Sequence, residues 1–186
     1  CCSQGVNRVH FLDYALDGAI LLELFTRDGC GLMISADNYD DMRAASIDDI
    51  GGILELIEPL EDSGVLVRRS RQKLEMEISQ FFIMERDKMI IGCAALYTYD
   101  KEGLAELACF AIHPNYQGEG RGQAILDAME KIAVKMGVKQ LFVLTTQTTH
   151  WFLERNFKQC DMDVLPIKHQ ALYNYKRNSK VLLKEI

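Results

Sequence analysis

The sequence predicts an α/β protein built around a mixed sheet, and three observations carry that reading. Short apolar runs with strand character recur at 81–85, 89–97, 104–112 and 141–144. Segments with helical spacing separate them, the longest placing Ile125, Leu126, Met129, Ile132 and Ala133 on one face. Between the run ending at Ile112 and that helix lies Gln117-Gly118-Glu119-Gly120-Arg121-Gly122, where glycines alternate with longer residues as a strand hands over to a helix. The 186 residues are 48% apolar with only three prolines, so the chain is neither disordered nor of low complexity. No apolar run reaches membrane-span length and no signal-peptide pattern is present. A net charge of −6 argues against a nucleic-acid partner and requires any anionic ligand to be held by local amides and a few placed cations. The chain begins Cys1-Cys2 without methionine, so a fragment is expected.

In chain order, residues 6–28 hold two apolar runs, 9–12 and 19–25, around Asp17-Gly18, a hairpin signal. Residues 1–31 are then the tail of a domain whose body lies elsewhere, because so short a block cannot bury a core. Residues 32–41 read as a linker, and a continuous domain occupies 42–186. Ser46 with Asp49 suits a helix start, and Ile50, Ile53, Leu54 and Ile57 form its apolar face up to Glu58-Pro59. Ser70 opens a second short helix carrying Leu74, Met76 and Ile78. Strands 81–85 and 89–97 turn at Asp87-Lys88 as an antiparallel pair, and 104–112 follows as a further strand. The long helix spans 120–136 and stops at Gly137. Residues 141–144 form a buried strand. A short helix over 149–155 ends at Asn156, which tolerates left-handed geometry. Residues 160–164 and 180–183 complete the sheet.

The chemistry concentrates in three places. Glycines in the 117–122 turn clear space for a ligand. The following helix start offers unpaired amides and a favourable dipole, a cradle for phosphate oxygens to which Arg121 can add charge. A dinucleotide fingerprint is the competing cradle, but the spacing is not Gly-x-Gly-x-x-Gly and no βαβ repeat with an acidic ribose partner follows. Arg68, Arg69 and Arg71 form either a solvated basic turn or, through one arginine, a carboxylate clamp. Glu106, on the strand leading into the phosphate loop, is either an edge carboxylate facing water or a base. The six cysteines lack C-x-x-C pairs, and the four histidines show no ligand spacing with them, so no metal site and a reducing cytoplasm are expected. Cys109 reads as a strand residue acting through its backbone, since no histidine is placed to activate it.

The element order and the Gln117-x-x-Gly120-x-Gly122 loop resemble the GNAT N-acetyltransferase superfamily. Trp151-Phe152-Leu153-Glu154-Arg155-Asn156-Phe157 looks like its aromatic-x-x-x-Gly-Phe helix end. Residues 24–29, 67–71, 106–109 and 175–179 further resemble the bacterial N-acetylglutamate synthases, which join an amino-acid-kinase-like domain to a C-terminal acetyltransferase domain. The resemblance implies a mixed, mostly antiparallel sheet of six to seven strands flanked by helices. It implies acetyl transfer from acetyl-CoA to the α-amine of L-glutamate, the opening step of arginine biosynthesis. Gln117, Gly118, Gly120, Arg121 and Gly122 would hold the coenzyme pyrophosphate, and Cys109, Phe110, Ala111 and Ile112 would line the pantetheine arm and polarise the thioester. Val67, Arg69, Cys109, Arg177 and Ser179 would bind glutamate, with Glu106 as the base. Residues 1–31 would be a remnant of the kinase-like domain, and a homo-oligomeric full-length protein stays open. Two departures stand out. The superfamily's tyrosine near the coenzyme sulfur is Phe152 here, so Thr145 or a water would protonate the thiolate, and Asn156 replaces the glycine of the helix end. Transfer to another amine, or a non-catalytic acetyl-CoA or arginine sensor, are the alternative readings.

Overall fold

In the computed structural model, which describes residues 6, 8–26, 29–35, 41–86, 88–166 and 179–186, the chain divides into two compact units, Cys1–Asp41 and Met42–Ile186. In the first, strands β1 (Arg8–Phe11) and β2 (Leu32–Ser35) pair antiparallel, and helix α1 (Ala19–Phe25) lies between them in sequence. Two expectations fail here. Residues 19–25 form a helix rather than the second arm of a hairpin, and residues 32–35 form a strand rather than linker. Gly18, at φ 74°, caps α1 instead of turning a hairpin. The helix lets the Glu23 carboxylate accept from the amides of Cys30 (2.8 Å) and Gly31 (3.0 Å) while it meets His10. Helix-forming Ala, Leu and Glu dominate the segment, so propensity and partners agree.

Among the described residues of the second unit, seven strands form one sheet in the order β3-β4-β5-β6-β7-β9-β8. Strand β3 (Asp41–Ala44) leads through a 3₁₀ turn (Ile47–Asp49) into α2 (Ile50–Asp62), and α3 (Arg71–Glu77) follows. The Ser46–Asp49 capping box is present, and the Ser70 hydroxyl accepts from the Lys73 amide at 3.2 Å, so both helices start where expected. Helix α2 does not stop at Glu58-Pro59 but runs to Asp62 with Pro59 inside it. The ring costs one hydrogen bond and a clash. Burial of Leu56, Ile57 and Glu61 on the same face carries the helix through.

Strands β4 (Phe81–Arg86), β5 (Met89–Tyr99) and β6 (Leu104–Ile112) form an antiparallel meander. Helix α4 (Arg121–Lys135) crosses to β7 (Gln140–Thr145), parallel to β6, and α5 (Thr149–Leu153) leads to β8 (Lys158–Cys160) and β9 (Lys180–Glu185). The late strand expected at 160–164 instead occupies Lys158–Cys160. Residues Met162–Val164 turn in a 3₁₀ bend that buries Leu165. Alternation along β5 divides the core. Ala94 and Leu96 pack with Ile125, Leu126 and Met129 of α4, whereas Cys93 and Ala95 pack with Ile50, Ile53 and Leu74 of α2 and α3.

Candidate active site

Two irregularities open the sheet at its centre. The β5–β6 register passes from Cys93↔Ala111 to Ala95↔Ala108, so Cys109 and Phe110 together oppose Ala94. Such a bulge bends its strand, and Cys109 takes the rare φ of 51°. The parallel β6–β7 ladder covers only Leu104↔Gln140 to Glu106↔Phe142. Past that point no ladder joins the two strands, and β7 continues paired with β9 alone up to Thr145↔Lys180. Main chain from 107 to 112 therefore borders a gap in the sheet, where an extended ligand can take strand-like hydrogen bonds. Phe110 and Ile112 turn their side chains into packing with Trp151, Phe152 and their neighbours, so they face such a ligand only through backbone.

The gap leads to the glycine loop. Gly118 and Gly120 hold φ of 88° and 78°, and a methyl added at either would meet nothing within 4 Å. Gly120 caps α4 without any side-chain bond, which leaves the first amides of a fifteen-residue helix without acceptors within it. This arrangement fits a diphosphate. Three members of the loop act otherwise than the sequence suggests. Gly122 makes room for packing: an added methyl would lie 2.9 Å from Cζ2 of Trp151. The Arg121 side chain is buried, donating to the Tyr116 carbonyl (3.2 Å) and to Glu119 (2.6 Å) and stacking on the Tyr116 ring. It braces the loop instead of projecting charge from it. The Gln117 amide donates to the Ile112 carbonyl at 3.1 Å and ties the loop to the end of β6.

On the face of the sheet covered by α2 and α3, a polar cluster surrounds the bulge. The Arg69 amide donates to Glu61 (3.0 Å) and its Nη1 to the Val67 carbonyl (3.1 Å). Its buried Nε has no hydrogen-bond partner among the described residues. Burial opposes the Arg69 charge, but Cys109, Tyr97 and Glu106 more than offset this and raise its pKa. Tyr97 lies opposite Glu106 in the β5–β6 register and donates to Glu77 at 2.7 Å. Burial and then Glu77 push its phenol above the ordinary range, so it stays protonated. The Cys93 thiol donates to the Cys109 carbonyl (3.4 Å), and its pKa is raised well up by Cys109 and by burial. That of Cys109 is lowered by Cys93 and Arg69 against burial.

Arg69, Glu106 and Cys109 are thus brought together, as their spacing alone could not show. The Thr145 hydroxyl, buried at the end of β7, accepts from the Thr148 amide (3.1 Å) and sits 2.9 Å from the Thr148 hydroxyl. Ser179, also buried, immediately precedes the Lys180 that pairs with Thr145. Val67 contributes its carbonyl to Arg69 while its side chain is exposed. Arg177 lies outside the described residues. His113 accepts from the Asn115 amide and exposed His150 pairs with Glu154. Tyr97 and Glu77 were missed by sequence reasoning. The Tyr97 position across from Glu106 follows only from register, although its alternation on β5 was visible.

A sheet parted beside a bulge, leading to a glycine-capped helix start, defines the class: an α/β protein that can lay an extended, phosphate-bearing ligand along a strand. Residues 52–157 match the acetyltransferase (GNAT) family, and the chain belongs to it. It is 52% identical over its whole length to an amino-acid acetyltransferase of Serratia proteamaculans, spanning 42% of that relative. N-acetylglutamate synthase from Neisseria gonorrhoeae, solved with coenzyme A and L-arginine, matches the whole chain at 39% identity and a TM-score of 0.87, over 42% of its own length. The same enzyme solved with coenzyme A and N-acetyl-glutamate matches 98% of the chain at 41% identity and a TM-score of 0.77, over 43% of its length. The chain therefore spans under half the length of these relatives.

Proposed function

We propose that this chain carries the acetyltransferase active site of an amino-acid N-acetyltransferase, moving the acetyl group of acetyl-CoA to the α-amine of L-glutamate. The observation that carries the acceptor assignment is Arg69, whose buried Nε has no hydrogen-bond partner among the described residues and whose charge is favoured by Cys109, Tyr97 and Glu106. A substrate carboxylate supplies the acceptor that this donor lacks, and forked pairing favours arginine for that task. Bound acetyl-CoA would supply an acyl group activated as a thioester. The amides of Gly120, Arg121 and Gly122 would hold its pyrophosphate and those of 109–112 its arm and thioester carbonyl. Gln117, Gly118 and the Arg121 side chain shape that loop. Arg177 would take the second carboxylate of glutamate, with Ser179 assisting. Glu106 would accept the proton that the ammonium group must lose before the amine can attack. Thr145, or a water, would return a proton to the departing thiolate, a modest demand since a thiol of this kind has a pKa of roughly 8.5.

Residues 1–31 fit the remnant of an amino-acid-kinase-like domain: Phe25, Leu24 and Ile20 expose apolar side chains that a larger body would cover. The 42–186 segment is the acetyltransferase domain. The free thiols of Cys30, Cys93, Cys109 and Cys160 suit a reducing cytoplasm. Arg69→Ala tests the acceptor assignment: KM for glutamate should rise about 100-fold or more while KM for acetyl-CoA stays nearly constant. A change confined to the coenzyme constant would refute glutamate as acceptor, and a panel of amines would then show the true one. Phe152, buried where the superfamily places a phenol, is the observation behind a second reading, a sensor without turnover. A thiol-release assay with glutamate decides between the two.

A further inference from the structure

Resting on the glutamate reading above, we infer that Glu61, a buried carboxylate near the end of α2, is a positioning residue that holds Arg69 in place for the acceptor's carboxylate. Glu61 is 9% exposed and continues the stripe of α2 that buries Ile50, Ile53 and Ile57. A carboxylate on such a stripe is costly unless it is hydrogen-bonded. Its Oε1 accepts from main chain, the Arg69 amide at 3.0 Å. The Glu61 carbonyl accepts from the Gly64 amide (3.1 Å) and the Leu60 carbonyl from the Leu66 amide (3.0 Å), so the chain leaving α2 is turned back on the helix. Gly64 permits that turn at φ 76°. At the far end, the Ser70 carbonyl and hydroxyl accept from the Leu74 and Lys73 amides (3.0 and 3.2 Å) and start α3. The Glu61 carboxylate grips the segment between these ends, at the residue that carries the guanidinium. The Arg69 Nη1 is tied to the Val67 carbonyl at 3.1 Å. Root and tip of the side chain are thus both anchored, and the buried Nε between them is the donor with no hydrogen-bond partner among the described residues. Anchoring before substrate arrives spares binding the loss of side-chain freedom. Leu56 and Ile57 pack in the same core as Cys109 and Ala111, so α2 sets the clamp against the strand along which the coenzyme is proposed to lie.

The test separates reach from charge with two variants in the full chain. Glu61→Asp keeps the charge but withdraws the carboxylate by about 1.5 Å, one carbon–carbon bond. KM for glutamate should then rise about 10-fold or more, the range for a lost hydrogen bond to a charged group. Both kcat and KM for acetyl-CoA should stay within about threefold. Glu61→Gln keeps the reach and an oxygen that can accept from the Arg69 amide, so it should recover most of that rise. Added to Arg69→Ala, Glu61→Asp should raise KM for glutamate no further, because it acts through the missing guanidinium. An unchanged KM for glutamate in Glu61→Asp overturns the inference, as does a larger rise in Glu61→Gln than in Glu61→Asp. A full additive rise in the double variant, or a uniform loss of kcat and both affinities that tracks lost stability, overturns it too. Hydrogen exchange of the Arg69 amide in the ligand-free protein separates this inference from the glutamate reading. Exchange about tenfold faster in Glu61→Asp than in Glu61→Gln supports the anchoring role whatever the acceptor is, and equal rates overturn it. If Arg69→Ala leaves KM for glutamate intact, the glutamate assignment fails instead.

Discussion

Two glycines two residues apart in one loop are expected to respond in opposite ways to the same methyl group. At Gly120 the added carbon meets nothing within 4 Å, but φ is 78°. Holding alanine in that left-handed conformation costs about 1–2 kcal/mol. For a domain of this size that is a fall in Tm of about 2–8 °C. The methyl would project into the open space at the start of α4, where the diphosphate is proposed to bind, so affinity for acetyl-CoA should drop about tenfold or more, ~1.4 kcal/mol. At Gly122 the carbon would approach Trp151 Cζ2 at 2.9 Å and Ile112 Cδ1 at 3.3 Å. Trp151 cannot yield freely, being stacked under Arg155 at 3.8 Å and tilted against Phe110. Overpacking of about 1–3 kcal/mol is offset by a gain of up to about 1 kcal/mol from replacing a helical glycine. Gly122→Ala should therefore be destabilised by up to about 2 kcal/mol and bind the coenzyme within about threefold of the parent. Urea titration gives the stabilities and titration calorimetry with acetyl-CoA the affinities. Equal loss of affinity in both variants, or none in Gly120→Ala, would refute the division into a ligand-facing and a packing glycine.

The remaining predictions concern charge. Glu106→Gln should lower kcat about 100-fold or more and flatten the acid limb of the pH–rate profile; a profile of unchanged shape would remove Glu106 as the base. Asp49 is held well below its ordinary carboxylate value of 3.8, chiefly by hydrogen bonds from Arg43, with burial opposing and the Ser46 amide and hydroxyl assisting. Because the folded-state pKa is the lower one, the stabilisation is complete above that ordinary value and is lost as pH falls below it. Asp49→Asn should thus lose about 1–2 kcal/mol at neutral pH and show a shallower acid decline in urea midpoint, and parallel curves for the two proteins would contradict this.

Helix starts and strand cores were legible because their signals are local. Ser46 with Asp49 and Ser70 satisfy helix amides within three residues, and Asn156 adopts φ 66° as its chemistry allows. The helix at 19–25 was not legible, because an apolar run of that length does not distinguish strand from helix. What decided it was the set of partners that Glu23 finds on His10, Cys30 and Gly31. Pro59 misled for a related reason: a local helix-breaking term was outweighed by a buried face that only packing supplies. In the loop, glycine positions announced a ligand cradle, yet the residue type could not separate Gly120, open to space, from Gly122, shaved to admit Trp151.

By itself, the chain's order of residues determined the alternation of helix and strand, the glycine turn before a long amphipathic helix, and the arginine and glutamate that chemistry asks for. These follow from contacts between neighbours in sequence, which the side chains encode directly. Only the tertiary structure decided that β6 parts from β7 after Glu106, that Cys109 bulges out of register, and that Tyr97, from the neighbouring strand, stands across from Glu106. Each of these depends on register between strands and on which face is buried. A shift of one residue would send every side chain to the other side of the sheet, and that choice belongs to the packed core as a whole.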